Sequence, residues 1–285
     1  MRVLVFGKTG QVARELARQC PKDITVKFLS RKEADLSKPE ECAQAIKEHA
    51  VDAVINAAAW TAVDKAEVEE GAATVINGDA PGSMARACAD KDIPFLHIST
   101  DYVFRGTGSV PFCPNHPTAP LGAYGRSKLA GEEAIRASGV RHIILRTSWV
   151  VSAHGTNFLK TMLRLGAKHG SLKVVDDQVG GPTPAAAIAD ALFVATIAMV
   201  GRHSGGTYHF SGTPNVSWAE FARAIMELSG HPCRVEGIPA SDYPTATKRP
   251  YNSRLDCNSL LDDLCIPRPD WQAYLPHIIK DIGIN

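Results

Sequence analysis

The segment Val3-Leu4-Val5-Phe6-Gly7-Lys8-Thr9-Gly10-Gln11-Val12-Ala13 passes from a continuous apolar run, through two glycines, into a helical pattern. Four apolar residues without alternation fit a strand covered on both faces, as at the centre of a parallel sheet. Gly7 and Gly10 let the backbone turn tightly and pass close to a pyrophosphate. The helix that follows supplies free N–H groups and a partial positive charge. Small Ala13 lets that helix lie close to the sheet. The spacing is GxxGxxA, tighter than GxGxxG, and no GxxxxGK[ST] motif occurs. An ordinary strand-to-helix turn could use the same two glycines, so the rest of the chain has to decide.

Outward from that segment, short β-branched runs alternate with helical stretches. Gln11 to Cys20 reads as a helix stopped by Pro21, and Ile24–Leu29 as the second strand. Pro39–His49 is a helix with proline in its first turn, where the missing N–H costs little. Ala53–Asn56 is the third strand. A helical stretch spans Ala72 to Asp90, interrupted by Gly78, Pro81 and Gly82. Phe95–Ile98 is the fourth strand, residues 101–122 a loop, Tyr124–Ser138 a helix and Ile143–Arg146 the fifth strand. This alternation predicts an α/β fold, a Rossmann-type doubly wound parallel sheet. The second half is less regular. Asn157–Gly166 and Ala185–Val200 read as helices, Tyr208–Phe210 and Val235–Gly237 as short strands, and 239–250 as a loop with three prolines. Ser217 and Glu220 form a capping box opening another helix. The expected organisation is a dinucleotide-binding domain over 1–150 and a smaller C-terminal substrate-binding domain over 151–285. An alternative boundary returns residues 185–210 to the first domain, covering its sheet.

The chain has 285 residues, 31 Lys+Arg against 30 Asp+Glu, and a net charge of +1. That balance lacks the basic signature of a nucleic-acid binder. With 45% hydrophobic and 21% charged residues it is not a disordered chain. A chain of this length buries roughly three quarters of its unfolded surface, so its core needs no disulfide or metal. Its seven cysteines are odd in number and form no CxxC pair, which fits a reducing, cytoplasmic setting. The histidines form no HExxH and no cluster with metal-ligand spacing. The longest mainly apolar run, Ala191 to Val200, falls short of the ~20 residues of a membrane span. Only four apolar residues precede Gly7, so no signal peptide is expected.

Ligands of doubly wound sheets sit outside the carboxyl ends of the strands, and several motifs fall there. The second strand ends Leu29-Ser30-Arg31-Lys32, a hydroxyl and two positive charges suited to a 2′-phosphate and hence to NADPH over NADH. A solvated basic turn is the plainer reading. Asp35 and Leu36 are placed to hold the adenine. Ala57, Ala58 and Ala59 would let a flat cofactor lie along the third strand's end. Tyr124-Gly125-Arg126-Ser127-Lys128 puts a phenol and an ammonium on one helical face. Such an ammonium is expected to lower the tyrosine pKa, fitting the phenol to give a proton to a carbonyl. A solvent-facing helix pair would look the same. Thr100 closes the fourth strand, where it either bonds the same carbonyl oxygen or caps the strand. Trp149, after the fifth strand, is either a wall for a sugar ring or inter-domain core.

Longer segments then make a family resemblance specific. GKTGQV (7–12), NAAAWTAVDKAE (56–67), STDYVF (99–104), YGRSKLAGE (124–132), RTSWV (146–150), GGPT (180–183) and the 249–255 segment RPYNSRL keep their order along nearly the whole chain. The chain resembles the dTDP-4-dehydrorhamnose reductase family of extended short-chain dehydrogenases/reductases. That resemblance implies NAD(P)H-dependent reduction of the C4 keto group of a dTDP-linked 4-hexulose. It implies Tyr124 as proton donor, with Lys128 tuning it and binding the nicotinamide ribose. Thr100 would hold the substrate oxygen. Thr61, Asp101, Tyr102, Trp149, Arg249 and Asn252 would line the substrate pocket, and Gly7, Gly10, Gln11 and Val12 would hold the pyrophosphate. Some relatives dimerise through Mg²⁺ held by glutamates. Glu15 matches one such position, but Pro184-Ala185-Ala186-Ala187 offers no partner carboxylate, so no metal is expected and the chain is read as a monomer or homodimer. Trp60 stands where some relatives have histidine. Two rival readings remain. A dehydratase or epimerase of this fold is one, although Tyr102 follows Asp101 where dehydratases carry a glutamate. The other is a regulatory subunit of methionine adenosyltransferase.

Overall fold

The structure, a computed structural model, describes residues 1–283. Strands β1 (Arg2–Phe6), β2 (Thr25–Leu29), β3 (Ala53–Asn56), β4 (Phe95–Thr100) and β5 (His142–Thr147) pair in parallel. The alternation of the first half dictates this, because each strand is followed by a helix that crosses back. Helices α1 (Gln11–Arg18), α2 (Pro39–Glu48), α3 (Val63–Val68), α4 (Glu70–Thr74), α5 (Ala80–Asp90) and α6 (Ala123–Ala137) make those crossings. The fully apolar β1 feeds both faces. Val3 and Val5 join one buried core, and Leu4 and Phe6 join another. α2, α5 and α6 cover the second face.

The remaining elements are β6 (Val150–Val151), α7 (Phe158–Gly166), β7 (Ser171–Val175), β8 (Val179–Gly180), β9 (Thr183–Pro184), α8 (Ala185–Val200), β10 (Gly206–His209), β11 (Val216–Ser217), α9 (Trp218–Ser229), β12 (Arg234–Ile238), β13 (Asn252–Ser253), α10 (Asn258–Leu264) and α11 (Trp271–Ile282). α8 packs beside α1 on the first face, and β10 adds a sixth parallel strand outside β5. The sheet order is β10-β5-β4-β3-β1-β2. The order reverses between β1 and β3, the place where such sheets open a crevice for ligands. A third core joins α7, α9, α11, β7 and β12 around Phe221, Trp271 and Leu275. Its helix α9 opens on the capping box of Ser217 and Glu220 and closes on left-handed Gly230.

Three differences from the sequence reading have local causes. The stretch Ala72–Asp90 is not one helix but α4, a π turn over Val75–Asp79, and α5. Pro81 falls in the first turn of α5, where it is tolerated. The strand expected at Tyr208–Phe210 begins two residues earlier, at Gly206. α11 was not foreseen, because Pro276 lies inside it. Among the described residues no helix is long and apolar enough to cross a membrane.

Candidate functional site

β4 and β5 end side by side, with Thr100 and Thr147 as register partners. A short helical turn, Asp101–Val103, follows, started by the Thr100 hydroxyl accepting the Tyr102 N–H at 3.2 Å. α6 approaches that turn closely because residue 125 is glycine, where any Cβ would collide with the Tyr102 carbonyl. The approach sets the Tyr124 ring edge-on to Tyr102 at 5.4 Å and brings its hydroxyl within hydrogen-bonding reach of Thr100. Burial pushes the Tyr124 phenol well above its usual range, and the Thr100 hydrogen bond only partly opposes this. The expectation that Lys128 lowers this pKa is therefore corrected. The lysine is held elsewhere, its Nζ donating to the Ile98 carbonyl at 2.7 Å and lying 2.9 Å from His97 Nε2. Lys128 is 2% exposed, and burial brings it down to about 8 while Glu132 acts the other way. Asp101, also buried, is pushed up to about 6 by burial. Its Oδ2, the Thr147 hydroxyl and the Ser253 hydroxyl are buried without an aligned hydrogen-bond partner. Buried polar atoms of this kind usually have partners, so this corner is built to receive polar groups.

The crevice between β1 and β3 has the shape of a nucleotide groove. Gly7 has φ +107°, and a Cβ there would stand 3.3 Å from the backbone of Ala57 and Ala58. Glycine is thus what lets the loop meet the end of β3. At Gly10 a Cβ would meet only the Ala57 carbonyl at 3.9 Å, so the protein itself does not demand glycine. α1 begins at Gly10 with no side-chain cap, which leaves its first N–H groups free for an anion. Val12 is buried. The Gln11 amide oxygen accepts from Ser152 at 2.9 Å and Asn157 at 2.8 Å, so it is already engaged within the protein. At the end of β2 the Ser30 hydroxyl donates to Glu33 at 2.7 Å. Arg31 pairs with Asp35 at 3.2 Å. Asp35 also takes the Ser37 N–H, and Leu36 is buried in the core. Asp35 thus meets Arg31 and Ser37, and Leu36 packs in the core, at the strand end where the adenine is expected.

On the substrate side Thr61 is exposed beside Trp60. Trp149, at φ +50°, stacks on Trp218 with centroids 3.4 Å apart. Arg249 pairs with Asp64 at 2.6 Å and lies within hydrogen-bonding reach of the Tyr102 hydroxyl. Asn252 does not face the site with a free amide. Its nitrogen donates to the Val110 carbonyl at 2.9 Å, and its oxygen accepts from Arg254. Glu15 is buried and bound by Arg18, Gln19 and His154. Asp190 of α8 and Asp281 of α11 line the same cavity of about 300 Å³, carboxylates missed by looking only at 184–187. Among the described residues no three His, Cys, Asp or Glu side chains are placed to hold a metal ion.

Several residues of the site escaped the sequence reading. Asn77, in the π turn, bonds the Trp60 backbone through both amide atoms and donates to Ser127 at 3.0 Å, tying the 57–62 loop to α6. Buried Glu132 receives a bidentate Arg146, from β5, together with the Ser99 hydroxyl. Asn56 and His97 are register partners beneath Lys128. A polar residue closing the apolar run of β3 and another within the Phe95–Ile98 run of β4 were the available signals.

Comparison with known proteins adds the family. The profile of the RmlD substrate binding domain matches residues 1–284. A dTDP-4-dehydrorhamnose reductase of Sinorhizobium fredii is 42% identical over 95% of this chain and 94% of its own length. The chain belongs to the RmlD substrate binding domain family. Among solved members of like fold, a dTDP-4-dehydrorhamnose reductase from Clostridium acetobutylicum superposes with a TM-score of 0.92 at 33% identity, covering 99% of this chain and 100% of that one. One from Bacillus anthracis, solved in complex with NADP, gives 0.91 at 31% identity over 98% and 99%. The family's Rossmann-type reductase architecture is the one described above.

Proposed function

We propose that this chain reduces the C4 keto group of dTDP-6-deoxy-L-lyxo-4-hexulose to dTDP-L-rhamnose with NADPH, the last step in making that sugar nucleotide. The observation that carries the reading is the rim itself. A proton-retaining phenol at Tyr124 lies within hydrogen-bonding reach of Thr100, and Lys128 follows four residues on. Full-length likeness to reductases of this substrate, one of them holding NADP, supports it.

The groove fits a dinucleotide, because Gly10 leaves space that no protein contact requires and α1 begins uncapped. Gly7, Gly10 and the N–H groups of Gln11 and Val12 would hold the pyrophosphate, and Ala57, Ala58 and Ala59 the flank. Arg31 would exchange Asp35 for the 2′-phosphate. That exchange is cheap, since an exposed ion pair contributes only about 0–1 kcal/mol. NADH would lack this contact. When bound, the cofactor supplies hydride to the C4 carbon of the sugar. Tyr124 holds the proton that the C4 oxygen takes. Its raised pKa means the phenol arrives protonated at neutral pH, as a general acid must. Thr100 orients the phenol and the acceptor oxygen. Lys128, charged below about pH 8, would bind the nicotinamide ribose. Thr61, Asp101, Tyr102, Trp149 and Arg249 would enclose the sugar nucleotide. Elimination of water, as in dehydratases, would need a base where Tyr102 stands.

The experiment is to supply the 4-keto sugar nucleotide with NADPH, follow absorbance at 340 nm, and identify the sugar formed by NMR. Stoichiometric oxidation with dTDP-L-rhamnose as product is expected. No oxidation with either NADPH or NADH would favour the regulatory-subunit reading.

A further inference from the structure

A line of hydrogen bonds runs beneath the rim from the nucleotide groove to α6. The Ala58 N–H donates to Asn56 Oδ1 at 3.1 Å. Asn56 Nδ2 lies 3.2 Å from His97 Nδ1, and His97 Nε2 lies 2.9 Å from Lys128 Nζ. Nζ in turn donates to the Ile98 carbonyl at 2.7 Å. Asn56 and His97 are each 1% exposed and Lys128 is 2% exposed, so bulk water does not relieve a mismatch along the line.

The direction of every bond follows from the first. A backbone N–H can only donate, so Asn56 must turn its oxygen to Ala58 and its NH₂ to the imidazole. An amide NH₂ can only donate, so His97 Nδ1 must accept. Burial and the lysine's charge keep His97 neutral, and a neutral imidazole accepting at Nδ1 carries its proton on Nε2. That N–H points at Lys128 Nζ. An amine can accept it, whereas an ammonium has three donors and no lone pair. The line is satisfied from end to end only when Lys128 is uncharged. Protonating Lys128 sets donor against donor. The cure is to move the imidazole proton to Nδ1 and turn the Asn56 amide over, which releases the Ala58 N–H.

We propose that Asn56 and His97 are positioning residues that tie the charge of Lys128 to the Ala58 N–H at the nucleotide groove. Uncharged Lys128 keeps that N–H bound to Asn56. Charged Lys128 frees it for an acceptor oxygen of the ligand, so the lysine's charge and a backbone donor are delivered together. That the ligand is a dinucleotide rests on the function proposed above, while the line of bonds does not. The surroundings suit a single titrating group. Glu132, one turn along α6, is pinned by Arg146 of β5, Ser99 of β4 and Arg136 of α6, and stays a fixed charge. Tyr124, one turn back, keeps its proton. Asp101 lies beyond the end of β4 with Thr100, and β3 contributes only uncharged Asn56.

The test uses the full, isotopically labelled chain without ligand. Two-bond ¹H–¹⁵N spectra report the His97 tautomer at a pH about 1.5 units above and below the Lys128 midpoint, where one charge state exceeds nine-tenths. The expected result is the Nε2–H tautomer above and the Nδ1–H tautomer below, with the Ala58 amide resonance shifting at the lysine's own midpoint. In His97→Phe the Ala58 shift should be lost. Adding NADP⁺ above the midpoint should drive His97 to Nδ1–H. The same tautomer at both pH values, or an Ala58 amide that still follows the lysine in His97→Phe, would overturn the proposal. If His97→Phe does not fold, the wild-type tautomers decide alone. A tautomer switch that ignores NADP⁺ overturns the link to the dinucleotide. Turnover is not read here, so the outcome is independent of the reductase assignment.

Discussion

At the scale of single residues, the site works by burial. Burial raises the Tyr124 phenol, so it holds its proton at neutral pH. Asp101 shows the same force as a stability effect. Its native pKa of about 6 lies above the usual 3.8. The native state therefore holds a proton that the unfolded chain loses between those values, so stability falls as pH rises from 3.8 to 6. Below 3.8 the contribution is fully present, and above 6 the buried charge costs on the order of 2–3 kcal/mol. Asp101→Asn should accordingly raise unfolding stability at pH 8 by up to that amount and change it little near pH 4. Urea titrations at the two pH values measure this, and an equal change at both would remove the explanation. Arg31→Ala should raise the KM for NADPH about tenfold, the scale of one lost charged contact, and leave that for NADH nearly unchanged. Steady-state kinetics with both cofactors decide it. Thr100, Tyr124 and Lys128 were legible in the sequence, because strand ends and helical spacing place them. Asn56 and His97 were not, since only strand register brings them under Lys128. The engagement of the Asn252 amide with Val110 and Arg254 was not legible either, because a motif gives no sign of where an amide is held.

At the scale of elements, α6 carries the chemistry and is positioned by close backbone approaches. At Gly131 a Cβ would collide with the Asn77 carbonyl of the π turn. Gly131→Ala should push α6 outward, costing about 1–3 kcal/mol of stability, as overpacking does. Turnover should fall as Tyr124 shifts from Thr100. Denaturant unfolding together with kcat at saturating substrate checks both effects, and an unchanged kcat would mean that α6 is not held from this side. The helix itself was plain from its pattern. The π turn was not, because Gly78 and Pro81 read as breaks when only the hydrogen-bond register changes. Pro276 hid α11 for the same reason, as the packing of Trp271 and Leu275 outweighs the one bond lost.

At the scale of the molecule, the near-neutral charge takes on a different meaning. Two anionic ligands call for local positive charge, and Arg31, Arg249 and Lys128 are the basic residues that the sequence reading sets at the site. In the structure Arg31 faces Asp35, Arg249 faces Asp64, and Lys128 lies buried by His97. Anions would therefore be met by the uncapped start of α1 and by ion pairs that open, rather than by a standing positive field. The parallel, doubly wound sheet was legible from the alternation of strand and helix. The placement of 179–255 around the rim was not, because its two-residue strands β8, β9, β11 and β13 are too short to leave a pattern. The most direct measurement is the single-turnover rate of NADPH oxidation by Tyr124→Phe against wild type at pH 7 with saturating 4-keto sugar nucleotide. Loss of the proton donor should lower the rate by roughly 10²–10⁴ with little change in cofactor affinity. A rate within a few-fold of wild type would contradict Tyr124 as the acid.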